Sequence, residues 1–447
     1  MAFYKIIERF LTPLLLLVVC FGAQQWYTMH IIPPFVFYSV SIFVLYLFAG
    51  YFLTHRAQRS RLINLYLLFV LISAVRGVFM AEGYYDYKSL VQNLLVYLLP
   101  LSTVFFADPG NVKKVVRPLI LFSPFLVLLL WPISTVEARM RLLFILPFPL
   151  LFFISTDTKN KVMVILLIIF FFLVSTLESR ATFIRCGTAF VLGLLMVLRF
   201  WSKILHYVFH ALTLALYLTP FVFLVLGVTQ NFFIFEEIED VFGGQVYVRA
   251  TNNEYSDYED ISSDTRTFVY IETVNSAYKN NYVILGHSLS RGYDSPSFSS
   301  ADTQNTIRGE RPLSEVGILN VFTHMGLVGG ILYTLIFMVG SFLALNRSRS
   351  LEMRLLGVWI AFRWFLSWFE EFTTFDLNQI TIWMTIAMCY SSSFLKMDSK
   401  QFKLFLQGCF YRIVLIDDEN VAHMIEESEE LEEESAARED NEEELLP

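Results

Sequence analysis

The sequence predicts an all-α polytopic membrane protein: about twelve transmembrane helices and one large extracytoplasmic loop that carries a helix of its own. Three observations lead there. The chain is 55% hydrophobic and 17% charged, with a mean hydropathy of +0.55, and a soluble domain of 447 residues has too little interior to hide that much apolar surface. Apolar runs of about 20 residues, the length that crosses a bilayer as a helix, recur along the chain. One polar stretch, residues 230–312, interrupts them with thirteen acidic and six basic residues.

Taken in order, the runs lie near 8–29, 34–54, 62–80, 89–106, 118–136, 142–155, 162–177, 182–199, 204–229, 316–345, 355–371 and 377–395. The sixth and seventh are short and separated only by Thr156 to Lys161. Lys5 and Arg9 precede the first run as in a secretion signal, but no small-residue cleavage site follows, so an uncleaved first helix is expected. Charge then orients the ladder. With the N-terminus cytoplasmic, the short inside loops hold thirteen basic residues, whereas the short outside loops hold four: Lys88, Arg139, Arg141 and Arg180. This is the asymmetry of a membrane protein with both ends inside, and it puts 230–312 outside.

The chain is thus expected to divide into nine helices over 1–229, the extracytoplasmic loop 230–312, three helices over 313–396 and a cytoplasmic acidic tail over 397–447. From Asp417 onward the tail has fifteen acidic residues against one arginine, which leaves the rest of the chain at a net charge of +6. Such a segment buries too little apolar surface to fold alone, and disorder is expected. The basic residues are scattered, which excludes a nucleic-acid footprint. Cys20, Cys186, Cys389 and Cys409 lie in or beside apolar runs and none lies in the loop, which argues against disulfides and cysteine metal sites.

Within the loop, Ser263-Asp264 suits a helix start, and Phe268, Ile271, Val274 and Ala277 follow near helical spacing. Asn280-Asn281 should end that helix, and Tyr282 to Leu285 reads as a short apolar return before Gly286, Arg291 and Gly292. A long loop with its own helix is usually functional. Around it stand arginines: Arg76 near the end of the third run, Arg180 after the seventh, with Arg185 one and a half turns on, and Arg266 and Arg291 in the loop. The planar guanidinium donates two parallel hydrogen bonds and keeps its charge, which suits pyrophosphate. The alternative for each is an arginine that snorkels or pairs with Glu82 or Glu178. Glu315 sits where the chain re-enters the membrane, in reach of water, a suitable place for a general base or for a carboxylate that merely pairs with an arginine. Asn320 and His324 share a helix face; a hydrogen-bonded core histidine is the plainer reading of the latter. Arg363, inside an apolar run two turns before Glu370-Glu371, should pair or line a polar cavity.

Together these segments resemble the bacterial O-antigen polymerase and O-antigen ligase family. Glu178-Ser179-Arg180-Ala181 is similar to its Ser-Arg-small signature, and Arg266 to the arginine that opens its loop helix. Val283-Ile284-Leu285-Gly286 resembles its Pro-Leu-x-Gly turn without the proline, and Glu315 to Gly329 its closing segment, with Gly326-Leu327-Val328-Gly329 at the end. Where ligases carry a histidine this chain has Glu315, which favours the polymerase. The resemblance implies metal-independent transfer of a glycan from undecaprenyl pyrophosphate to the end of an incoming lipid-linked repeat unit, on the outer face of the inner membrane. It implies no cofactor, and lipid-linked donor and acceptor, membrane lipid and a chain-length regulator as partners. Arg180 and Arg266 would hold the pyrophosphate, Glu315 would take the proton, and Arg291, Arg76, Arg363 and His324 would contact substrate. The ligase remains an alternative, as does a twelve-span transporter or flippase, although no half-to-half repeat is visible.

Overall fold

Helix is the rule in the computed structural model, which describes residues 13–15, 41–47, 50–51, 60–175, 180–228, 247–248, 259–260, 267–296, 309–371 and 373–410. Most of the first two predicted spans, Ser263-Asp264, Arg266 and residues 411–447 of the expected tail lie outside the described residues, whereas the first part of that tail, expected to be disordered, forms the helix Ser399–Cys409, which Asp398 caps and which buries Phe402, Phe405 and Leu406. Among the described residues, five helical stretches are long and apolar enough to cross a membrane: Arg61–Met80, Tyr84–Phe106, Pro109–Ile133, Ala181–Val225 and Gly317–Arg347. The chain is therefore a helical membrane protein.

Arg61–Met80 is α1, and it turns at Gly83 into α2, Tyr84–Tyr97, which continues as a 3-10 turn and one last helical turn to Phe106. The next helix, α3 (Pro109–Leu130), starts where Asp108 accepts a hydrogen bond from the Gly110 N–H at 2.9 Å and Pro109 lacks only an N–H that would be unpaired anyway. A short helix, α4 (Val136–Leu142), leads into the predicted sixth span, 142–155, which is itself only the short helix α5 (Pro147–Leu151) followed by a 3-10 turn at Phe153–Ser155. Pro147 opens α5, and it and Pro149 lack the amide donors that would bond α5 back onto the preceding turn. Thr158–Val174 is α6; α7 (Arg180–Leu194) and α8 (Ser202–Val228) are joined by a 3-10 stretch that makes them one 45-residue apolar unit.

Beyond the loop, α10 (Gly317–Arg347) packs along α11 (Leu351–Leu366), and α12 (Leu377–Tyr390) closes the bundle. The loop's own helix is α9, Thr267–Lys279. The α10–α11 contact is close because Gly357 carries no side chain: a Cβ there would stand 2.9 Å from Ala344 Cβ, and its carbonyl accepts from Ser341 Oγ at 2.9 Å. Tyr66, Tyr333, Phe337 and Trp383 stack into the centre of the core. At 16 residues α11 spans about 24 Å, less than a bilayer core of about 30 Å, and it ends five residues before the predicted span does. That early end takes Glu370 off the helix.

Candidate functional site

The site is assembled where the loop meets the broken helix α10. Gly326 has φ +65° and ψ −164°, outside helical space, so α10 is two helices joined at a kink. A kink strands backbone donors, and the loop takes them up: Leu327 N–H donates to Val283 O at 2.9 Å and Val328 N–H to Ile284 O at 3.2 Å. In return His287 N–H donates to Thr323 O at 2.6 Å. Gly286, at φ +75°, lies against the kink, and a Cβ on either glycine would collide with the other's strand of backbone. The two glycine segments that were separate in sequence are therefore one interlocked joint.

The joint is clamped from three sides. Arg76 on α1 donates through Nη1 to Leu285 O at 2.6 Å and through Nη2 to Gly286 O at 3.0 Å. His324, fully buried, meets Tyr97 Oη through Nδ1 at 2.9 Å and Asn93 Nδ2 through Nε2 at 3.2 Å, and Asn93 Nδ2 also donates to Leu289 O at 2.9 Å. His287 stacks flat on Tyr282 with ring centres 4.5 Å apart and donates through Nδ1 to Gly292 O at 2.7 Å. Behind them β1 (Tyr293–Asp294) pairs antiparallel with β2 (Glu310–Arg311). Arg291 is held by the Glu310 carboxylate and, at 3.3 Å, by Glu82. The hydrogen bonds to Glu310 raise the Arg291 guanidinium above its ordinary range.

Glu315, 47% exposed, stands at the rim with Arg311 Nη2 at 3.4 Å, and Arg311 also reaches Tyr293 Oη. Two residues later α10 begins against the end of α11: Gly317 N–H donates to Glu370 O and Ile318 N–H to Ser367 O, both at 3.0 Å. Asn320 binds Ser314 and donates to Thr373 Oγ1 at 2.8 Å; Thr373 in turn donates to Glu371 at 2.7 Å.

Glu370 opens the second half of the site. Its carboxylate meets Arg185 Nη2 at 3.1 Å, and the Arg185 guanidinium lies 4.2 Å from the centre of the Phe144 ring. Arg141 bridges Asp376 at 2.8 Å and Glu137 at 3.0 Å. Arg363 donates through Nη2 to Asn378 Oδ1 at 2.8 Å, its Nη1 has no partner among the described residues, and it borders a cavity of about 20 Å³ with Phe144, Pro147, Trp359 and Thr385. That space suits about one water. Arg141 and Arg185 thus pair with Asp376 and Glu370 of the turn Ser367–Asp376, and Arg363 with Asn378 just beyond it; Arg185 and Arg363 are buried and Arg141 is largely so, and each needs an anion or a dipole to offset the loss of water.

The structure gathers the expected residues into two groups and leaves two open. Arg76, Arg291 and His324 surround the glycine joint, with Glu315 at its rim. Arg363 belongs to the other group, and of the two expectations for it, pairing or lining a polar cavity, it follows the second: it bonds Asn378 and borders the small cavity, while neither Glu370 nor Glu371 pairs with it. Because α11 stops at Leu366, Glu370 no longer continues the face that carries Arg363, and it meets Arg185 instead. Arg180 is the first residue of α7, one and a half turns before Arg185. Arg266 precedes the first described residue of α9. Sequence reasoning assigned no part to Arg141 or Asp376; a basic residue before an apolar run and an acidic helix cap are too common to stand out. The Arg185 spacing from Arg180 was the one usable signal. Comparison with protein-family models, curated proteins and solved structures gives no match to this chain.

Proposed function

We propose that the protein is a membrane glycosyltransferase that polymerises undecaprenyl-pyrophosphate-linked oligosaccharide repeat units into O-antigen or a related surface polysaccharide. The reaction takes place on the outer face of the bacterial inner membrane, with both termini of the chain cytoplasmic. A hydroxyl of the incoming repeat attacks the anomeric carbon of the growing chain. The bond from that carbon to the pyrophosphate oxygen breaks, undecaprenyl pyrophosphate leaves with the electron pair, and Glu315 takes the hydroxyl proton. Arg180 and Arg266 hold the pyrophosphate and stabilise the charge that grows on it as it leaves.

One observation carries the reading. The Arg185–Glu370 ion pair and the Gly317 N–H to Glu370 O hydrogen bond tie the start of α7, where Arg180 lies, to the membrane re-entry at Glu315. A phosphate-binding arginine and an accessible carboxylate at one end of one bundle are what displacement of a lipid pyrophosphate needs. A broken helix is also a device of transporters, whose freed backbone binds cargo. Here the Leu327 and Val328 donors are already taken by Val283 and Ile284, which favours a fixed joint over a cargo site.

Arg180→Ala is expected to abolish polymer laddering on a lipopolysaccharide or capsule gel at unchanged protein level, in line with the roughly 10²–10³-fold loss typical when a charge-stabilising donor is removed. Normal ladders from that variant would refute the role. A deletion strain separates the alternatives: one repeat on the core means polymerase, none means ligase or flippase.

A further inference from the structure

The loop helix α9 has three faces rather than two. At about 100° per residue, Val269, Thr273, Ser276 and Ala277 fall together and are buried against the rest of the protein. Glu272 and Lys279 share a flank and reach Ser295 Oγ and Asp294, each at 2.7 Å. Opposite the buried face, Ile271, Val274 and Tyr278 lie within about 60° of one another and are 55%, 43% and 72% exposed. Water is a poor neighbour for such a stripe.

The surroundings say what covers it. The turn after Tyr278 delivers Ile284 and Leu285, both exposed, to the glycine joint, where Ile284 O binds Val328 N–H and Leu285 O binds Arg76. Just beyond that joint the membrane helix α10 begins a row of outward apolar side chains: Leu327, Ile331, Leu335, Met338 and Phe342. On α1, Ile72, Val75 and Phe79 flank Arg76 and are likewise outward. The lipid-facing surface of two membrane helices therefore runs up to Ile284 and Leu285, at the foot of α9.

We propose that α9 lies in the membrane interface, with Ile271, Val274 and Tyr278 seated among the lipid headgroups and upper acyl chains and the Glu272–Lys279 flank turned to water. This is the arrangement of an interfacial amphipathic helix, and it makes the bilayer surface a partner of the loop. The inference does not depend on the glycosyltransferase reading.

The test places a bimane label on Val274→Cys and Lys279→Cys, one at a time, in the full chain. The protein is reconstituted into phosphatidylethanolamine–phosphatidylglycerol vesicles, and labelling of the unsubstituted chain is subtracted. Lipid carrying a spin label at acyl carbon 5 is expected to quench the Val274 probe several-fold more than the Lys279 probe, and aqueous iodide to do the reverse. Equal iodide quenching at both sites would overturn the proposal, as would a Val274 probe that neither quencher reaches. Ile271→Cys is the second reporter should Val274→Cys fail to fold, and it must behave as Val274 does.

Discussion

A methyl group added at Gly326 has nowhere to go. The φ of +65° costs an L-residue roughly 1–2 kcal/mol on its own, and the new Cβ would strike Gly286 N and Ile284 O, which are backbone and cannot swing aside. Gly326→Ala is expected to lower thermal stability in detergent by more than about 2 kcal/mol. Gly330→Ala, where nothing lies within 4 Å, should unfold at or above the parent temperature. Equal melting of the two variants would contradict the joint. Arg185 makes a different point. It is buried against Glu370, and removing one member of such a pair strands the other charge, typically at about 3–5 kcal/mol. Arg185→Met should therefore be strongly destabilising, and Arg185→Met with Glu370→Gln should recover part of the loss. A double variant no more stable than the single one would show that the pair is not the source.

At the scale of elements, α9 was legible and the turn after α11 was not. Helical spacing over 265–279 and the Asn280-Asn281 stop correspond to Thr267–Lys279 followed by Asn281 at φ +56°, because turn chemistry and periodicity are local. The end of α11 at Leu366 is set by contacts with the start of α10, and no local signal announces it. The loop hairpin behind α9 carries a pH dependence. Burial alone would raise the Asp294 carboxyl, but hydrogen bonds from Lys279 and Asn280 hold it below the usual carboxylate range. The same bond raises the Lys279 ammonium. Asp294 thus contributes stability above its unfolded value of about 3.9 and loses it as pH falls through the lower folded value. Lys279 contributes below its unfolded value of about 10.4 and loses it as pH rises through the higher folded value. Amide exchange over 280–294, corrected for intrinsic rates, should be slowest across the neutral window and quicken below about pH 4. Asp294→Asn should flatten the acid limb, and an acid limb unchanged in that variant would remove the carboxylate as its cause.

For the whole molecule, orientation is the claim with the widest reach. The excess of basic residues in alternate short loops predicts that reporters fused within 230–312 face outward and that a reporter on the acidic tail faces inward. Alkaline phosphatase, active only outside, should be active at the first position and inactive at the second. The opposite pattern would invert the topology and remove the outer-face reading of Arg180 and Glu315 with it. Composition and apolar runs by themselves determined that this chain is a helical membrane protein with a polar excursion late in the sequence, since the cost of polar backbone in lipid leaves little choice. The family resemblance, not composition, singled out Val283–Gly286 and Gly326–Gly329. Only the tertiary structure decided that these two segments interlock and that Arg76 and His324 clamp the joint. It alone decided that Glu370 pairs with Arg185 rather than serving Arg363. Such pairings depend on where helices stop and cross, and those points are set by packing between segments distant in sequence, more than 200 residues apart in the case of the Arg76–Gly286 hydrogen bond.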